Sequence, residues 1–412
     1  MQNISDKTAL DDLPESVITK EILVRLPAQD VLRCRVVRKS WRHDMSTHDF
    51  LLTHHQQQPS LPVMELIKRE GKWFDRHLFV FCGASPSGAN CELYRKTILW
   101  YSRPDPYKDN LVIHASYGGL LVISSYDMGL LEVCNPITRQ CAPLPLLGEH
   151  DWRIRRTNIA GFYQHQPSGG YHMLYSIWKL NEDLFTFAVD FYVIAVGANE
   201  SRPIEQPPLQ QEMMDKLTVS SNASVPFQGN LHWVLRRHYS SYSSSNIMVF
   251  GTMFETLRWM CRPPRQYPWM SLLELDGVFS MCNSYDGIVL DIYGMHDYKA
   301  EVWTLMYRID LMTLEASPPL SLRARTLRRI ATLNEHELLV EFPGCVLHCD
   351  IGSKFLGKME CNEDEDNRMR ITPFCFQENI CQLPFFGMKE DYGAWWLLEE
   401  EGDDEKYYYI WS

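Results

Sequence analysis

Beyond about residue 60 the apolar residues recur at period two or in short unbroken runs, and this constrains the fold more than any other feature of the chain. Trp303, Leu305, Tyr307 and Ile309 alternate with other residues, as do Tyr171, Met173, Tyr175 and Ile177. Leu231, Trp233 and Leu235 repeat the pattern after Gly229-Asn230. Gly119-Leu120-Leu121-Val122-Ile123 and Leu338-Leu339-Val340 are continuous instead. Alternation marks a half-buried strand and a short continuous run a strand buried on both faces. Turn residues separate the runs at Tyr117-Gly118-Gly119, Asn135-Pro136, Pro167-Ser168-Gly169-Gly170, Asp276-Gly277 and Pro343-Gly344. Few stretches offer ten residues of helical period; Met213 to Leu217 allows one turn. A glycine followed by a strand-like run recurs near Gly119, Gly161, Gly229 and Gly277, at intervals of about forty to seventy residues. A related run follows near Leu338. Such spacing predicts a mainly β chain built as a β-propeller-like array of about six or seven blades, with a large β-sandwich as the alternative. Aromatic residues at 12% suit strands and recognition surfaces.

Charge and cysteine usage remove several function classes. The formal net charge of −12 argues against an extended phosphate-binding surface, so no nucleic-acid partner is expected. The densest basic group, Arg323, Arg325, Arg328 and Arg329, reads as a solvated loop or edge strand. The acidic runs Glu363–Asp366 and Glu399–Glu405 read as solvated segments, the second within an acidic C-terminal tail over 399–412. Ser240 to Ser245 reads as a polar loop. Residues 1–12 are polar and no run approaches the length of a membrane span, so no membrane partner is expected. The 12 cysteines, without a CxxC pair, are expected to be reduced thiols in a cytoplasmic or nuclear protein. Cys345, His348, Cys349 and Cys361 invite a zinc reading, but paired ligand spacing is missing and cysteine in an apolar strand behaves as a small hydrophobe. The motifs GxSxG, HExxH and GxxxxGK[ST] do not occur. A non-catalytic protein without cofactors is the expectation.

The first fifty residues differ. Leu13-Pro14-Glu15 reads as a helix start, because proline is tolerated where the first N–H groups have no partner. Ile18, Ile22 and Leu26 recur every four residues and predict one apolar helical face that Pro27 ends. Asp30 opens a second helix with Val31, Leu32, Cys34, Val36 and Val37 as apolar positions, and a third runs from about Ser40 to Ser46 around Trp41. Helices this short need tertiary burial, and a unit of this size does not usually support its own core. It must lean on the rest of the chain or on a partner.

These residues carry a family resemblance. Leu13-Pro14, Ile22-Leu23, Leu26-Pro27, Val31-Leu32-Arg33, Val37-Arg38-Lys39-Ser40-Trp41, Phe50 and His54 resemble, in order and spacing, the F-box; Arg38 departs from the cysteine usual in plant members. The resemblance implies docking on a Skp-type adaptor, and through it on a cullin scaffold, by Leu13, Pro14, Ile22, Leu23, Leu26, Pro27, Leu32 and Trp41. Some of these must instead hold the helices together. Further on, Gly118-Gly119-Leu120-Leu121 with Val133 to Gln140, Val225 to Trp233, Ile247 to Trp259, Leu273 to Gly277 and Glu301 to Thr304 resemble the F-box-associated domain of plant F-box proteins. That resemblance fades after Phe342.

The expected organisation is a three-helix F-box over 1–54 (core 11–50), a polar linker over 55–62, a β-rich substrate-binding domain over 63–398 and the acidic tail. The expected function is the substrate-recognition subunit of a Skp–cullin–F-box ubiquitin ligase, binding an unknown protein target. A non-degradative adaptor-binding protein and a propeller enzyme or lectin are the rival readings.

Overall fold

The computed structural model describes residues 13–70, 73–83, 93–103, 111–125, 130–145, 147, 154–180, 187–205, 217–218, 223–234, 236–237, 247–263, 269–312, 327–352, 354–360 and 368–381. Six four-stranded antiparallel sheets form the blades of a β-propeller, which decides between the propeller and the sandwich. Blade 2 shows the plan, running outward from the axis through Leu111–Tyr117, Leu120–Ser125, Leu130–Asn135 and Gln140–Leu144. Blade 3 starts at Ile154–Gln164, blade 4 at Val225–Phe227, blade 5 at Trp269–Leu275 and blade 6 at Arg329–Thr332. Blade 1 is stitched from both ends of the β region. Its innermost strand, Arg368–Phe376, pairs with Leu61–Glu70 in a register that sets Leu66 opposite Met369, and Trp73–Gly83 and Leu93–Arg103 follow. This closure leaves the ring without a free end between its first and last blades.

The core is a ring of seams between neighbouring blades. Phe79, Phe81 and Ile371 meet Leu339 and Val346 between blades 1 and 6, and Val80 and Phe376 meet Leu121 and Ile123 between blades 1 and 2. The other four seams are built alike. Central strands therefore bury both faces, which is why Leu338-Leu339-Val340 reads as an unbroken apolar run. The alternating run through Trp303 and Ile309 is the outermost strand of blade 5, half open to solvent. Asp276 and Gly277 both take positive φ (52° and 67°), the conformation a two-residue hairpin requires.

The N-terminal segment departs from its expected geometry. The first helix begins as a single α turn, α1 (Glu15–Val17), widens into a π turn (Ile18–Ile22) and tightens into a 3-10 turn (Leu23–Arg25). The Leu23 N–H reaches the Ile18 carbonyl five residues back. That extra residue rotates the following side chains, so Ile18 and Leu23 are buried together while Ile22 turns outward. Helices α2 (Ala28–Cys34), α3 (Lys39–Asp44) and α4 (His48–Gln57) follow. The expected polar linker at 55–62 is corrected by α4, which extends to Gln57, and by the first strand, which starts at Leu61. Polar side chains at this junction are spent on backbone groups: His54 Nε2 and Gln58 Nε2 donate to the Leu26 carbonyl at 2.9 and 3.2 Å, and both residues are buried. The acidic runs, the serine loop at 240–245, Met213 to Lys216, Arg323, Arg325 and Cys361 lie outside the described residues.

Candidate functional site

The helices divide their apolar residues between a core and an open face. Ile18, Leu23, Val24, Ala28, Val31, Trp41, Met45 and Phe50 pack together, with Leu23 3% and Trp41 6% exposed. Leu26 and Leu32 are half-buried against that core. Leu13, Val17, Ile22, Val36 and Val37 face outward, Ile22 at 37% and Val36 at 87% exposure, and Pro14 and Pro27 are exposed as well. Among the expected adaptor-facing residues, the structure thus puts Leu13, Pro14, Ile22 and Pro27 on the surface, Leu23 and Trp41 inside, and Leu26 and Leu32 between. Val17, Val36 and Val37 belong to the outward set without having been expected there. The sequence signal for Val36 and Val37 was their position among arginines: Arg33, Arg35, Arg38 and Lys39 flank them, and such residues do not bury readily. Arg38 lies over the Trp41 ring at 5.2 Å, and Ser40 donates to the Glu15 carboxylate at 2.9 Å, joining α3 to α1.

The opposite side of the helical unit is held by the propeller. Ile380 enters its core and Ile137, from the outer hairpin of blade 2, packs beside it. The Ala28 N–H, at the start of α2, donates to the Glu378 carboxylate at 2.6 Å, and Lys96 of blade 1 pairs with that same carboxylate. Asp30, expected to open the helix, instead pairs with Arg33 at 3.1 Å. His55 Nδ1 donates to the Glu378 carbonyl at 2.9 Å, and Gln377 Nε2 donates to the carbonyls of His55 and Gln58 at 2.9 and 2.8 Å. Asn379 donates to the Gly118 carbonyl at 2.6 Å and receives the Asn135 amide on its own carbonyl at 2.9 Å. Gly119 must lack a side chain here, because a Cβ would collide with the Gln377 carbonyl and Asn379. No local sequence signal marks residues 377–380 as a strap, since every partner is remote in the chain.

Comparison with known proteins now bears on these helices. The chain is 24% identical over 323 residues to an F-box/LRR-repeat protein of Arabidopsis thaliana, covering 74% of this chain and 68% of that one. It is 25% identical to a second Arabidopsis thaliana F-box protein over 329 residues, 74% of this chain and 81% of that one. The chain is thus similar to plant F-box proteins over about half to three quarters of its length. No family model matches it. Among solved structures, it is similar to an acylaminoacyl peptidase of Pyrococcus horikoshii at 10% identity and a TM-score of 0.35, over 70% of this chain and 45% of that one, and no functional argument rests on this likeness.

The propeller holds further polar groups. A cavity of about 1420 Å³ is lined by its inner strands, through Ser271 to Glu274, Arg329 to Thr332 and Thr372 to Cys375, and at one end by α4 through Leu51, Leu52 and His55. His165, His172 and Glu255 bring possible metal-ligand atoms within 4.8 Å of one another. The buried Glu255 carboxylate already accepts from Tyr163 and His172, both at 2.6 Å, and pairs with Arg202, so the guanidinium supplies its counter-charge. Burial, with His165 and Arg202 nearby, pushes the His172 imidazole down to about 4 and keeps it neutral. This network pins blade 3 to blade 4. Strand alternation separates the residues that invited the rejected zinc reading: Cys345 and Cys349 enter the seam between blades 5 and 6, while His348, on the other face, bonds Glu337 at 2.7 Å.

Proposed function

We propose that this chain is the substrate-recognition subunit of a Skp–cullin–F-box ubiquitin ligase. F-box membership implies a Skp-type adaptor as partner. One observation carries the reading: Leu13, Val17, Ile22, Val36 and Val37 stand exposed on a helical unit whose other side is already occupied by the propeller. A cluster of uncovered apolar side chains on a small unit is a surface for another polypeptide. The adaptor covers it, and the cullin joins through the adaptor. The propeller, which the family resemblance assigns to the F-box-associated type, binds the protein to be modified. A receptor of this kind raises the effective concentration of substrate lysine near the charged conjugating enzyme and needs no catalytic residue of its own. We place its work in the cytoplasm or nucleus.

The test is reconstitution of the full chain with a Skp-type adaptor and a cullin. The wild type is expected to form the ternary complex and Ile22→Asp/Val36→Asp to lose the adaptor. Absence of adaptor binding by the wild type rejects the reading. A stable adaptor complex that excludes cullin replaces the ligase role with non-degradative adaptor binding.

A further inference from the structure

Two thiols meet at the hairpin by which the propeller grips the helices. Cys134 and Cys141 are register partners on the two outer strands of blade 2, and their Sγ atoms lie 2.7 Å apart. Opposed residues of an antiparallel pair have Cα atoms about 4.5 to 5.5 Å apart, within the span a disulfide bridges. A sulfur–sulfur bond is about 2.0 Å long, so closing it here needs a movement below about 1 Å. Both residues are free thiols in this structure.

The segment between them is already tied to the helices. Asn135 Oδ1 accepts the N–H groups of Ile137 and Thr138 at 3.0 and 3.3 Å, shaping the turn. The Asn135 amide holds the Asn379 carbonyl, and Ile137 packs against the helical core. A bond between Cys134 and Cys141 would enclose this docking turn in a small covalent ring.

We propose that Cys134 and Cys141 form a reversible dithiol–disulfide pair, closed by a peroxide, that stiffens the turn joining the propeller to the helical unit. Cys141 is half-buried and meets the oxidant first, whereas Cys134 is buried in the seam between blades 1 and 2. The Cys141 sulfur attacks the peroxide: an S–O bond forms, the O–O bond breaks and one water leaves. The Cys134 sulfur then attacks the Cys141 sulfenic acid: the S–S bond forms, the S–O bond breaks and a second water leaves. Two thiols and one hydrogen peroxide become one disulfide and two waters. The two sulfurs together give up the two electrons that the peroxide oxygens take. Burial, with Cys141 and Glu132 nearby, raises the Cys134 thiol's pKa and keeps it protonated, so the second step is driven by the short distance at which the two sulfurs are held and not by a ready thiolate.

The experiment treats the purified full chain with hydrogen peroxide, blocks remaining thiols with N-ethylmaleimide and maps the unreduced digest by mass spectrometry. The expected result is a Cys134–Cys141 cross-link that dithiothreitol reverses and Cys141→Ser lacks. In Cys134→Ser, Cys141 should be trapped by dimedone as a sulfenic acid. Hydrogen exchange of the 134–141 amides should slow about tenfold in the oxidised protein. Oxidation of other cysteines while Cys134 and Cys141 both stay alkylatable overturns the pair, as does a bond from Cys134 to Cys82, which packs against the same seam. A cross-link that leaves hydrogen exchange unchanged overturns the stiffening.

Discussion

Between blades 4 and 5 of the propeller, Phe279 is fully buried against Phe227, His232 and Trp303, and the seam is complete without outside help. In the helical unit, Ile18, Leu23 and Trp41 make a core that takes Ile380 and Ile137 from the propeller to finish one side, while Leu13, Val17, Ile22, Val36, Val37 and Leu52 remain exposed. The difference is one of size and closure. A ring of blades covers each blade's two faces with its neighbours, whereas a few short helices enclose too little volume to cover their own surface. Leftover apolar surface is thus absent from the seam and present on the helical unit, where we propose that the adaptor sits.

The comparison can be broken first at the seam. Phe279→Ala is expected to cost about 3–5 kcal/mol and to lower the urea midpoint of the whole propeller, read by circular dichroism. Loss confined to blade 5, with the other blades' midpoint unchanged, would mean the ring does not unfold as a unit. Next, Ile22→Asp/Val36→Asp should weaken adaptor binding by about 2–4 kcal/mol, roughly 30- to 1000-fold by calorimetry, with folding stability unchanged within about 0.5 kcal/mol. A large fall in stability would move these residues from interface to core.

The junction between the regions comes third. Glu378→Ala leaves the Ala28 N–H and Lys96 without their shared carboxylate and is expected to loosen the helices by about 1–3 kcal/mol. Faster hydrogen exchange in α2, with the propeller amides unmoved, is the expected reading; equal loosening of both would make the two regions one cooperative unit.

The smallest effect is on pH. His232 is fully buried; its Nδ1–H donates to the Val225 carbonyl at 3.0 Å and its Nε2 pairs with the Tyr298 hydroxyl at 2.7 Å, so protonation would place a charge inside the seam. Burial, with Arg258 nearby, pushes this imidazole down to about 4. A depressed histidine leaves the unfolded chain to bind the proton first. Its stabilisation is therefore complete above about pH 6.5 and drains away as pH falls from there toward 4. His232→Gln should flatten the stability profile in that window by about 2 kcal/mol, measured by urea titrations at each pH. An unchanged slope would assign the acid loss to His77 and His172, which burial pushes to about the same value.

What was legible followed from local rules. The strands at Tyr171–Leu180, Glu337–Phe342 and Val302–Asp310 stand where period and turn residues predict them, because strand burial repeats within a few residues. The end of the first helix before Pro27 was equally legible. The π turn was not, since nothing in the period or composition of Ile18 to Ile22 distinguishes it from an α turn. Residues 55–62 read as a linker because polarity alone does not say whether water or a backbone carbonyl is the partner.

The order of residues by itself determined that this chain would be strand-rich after a short helical start, and which small motif those helices carry. Only the tertiary structure decided that Arg368–Phe376 closes the first blade, that Glu378 caps a helix begun 350 residues earlier, and that Ile22 faces out while Leu23 faces in. The physical reason is range. Propensity and periodicity act over a few residues, but caps, closures and the choice of buried face are settled by groups that meet only after the chain has come round on itself.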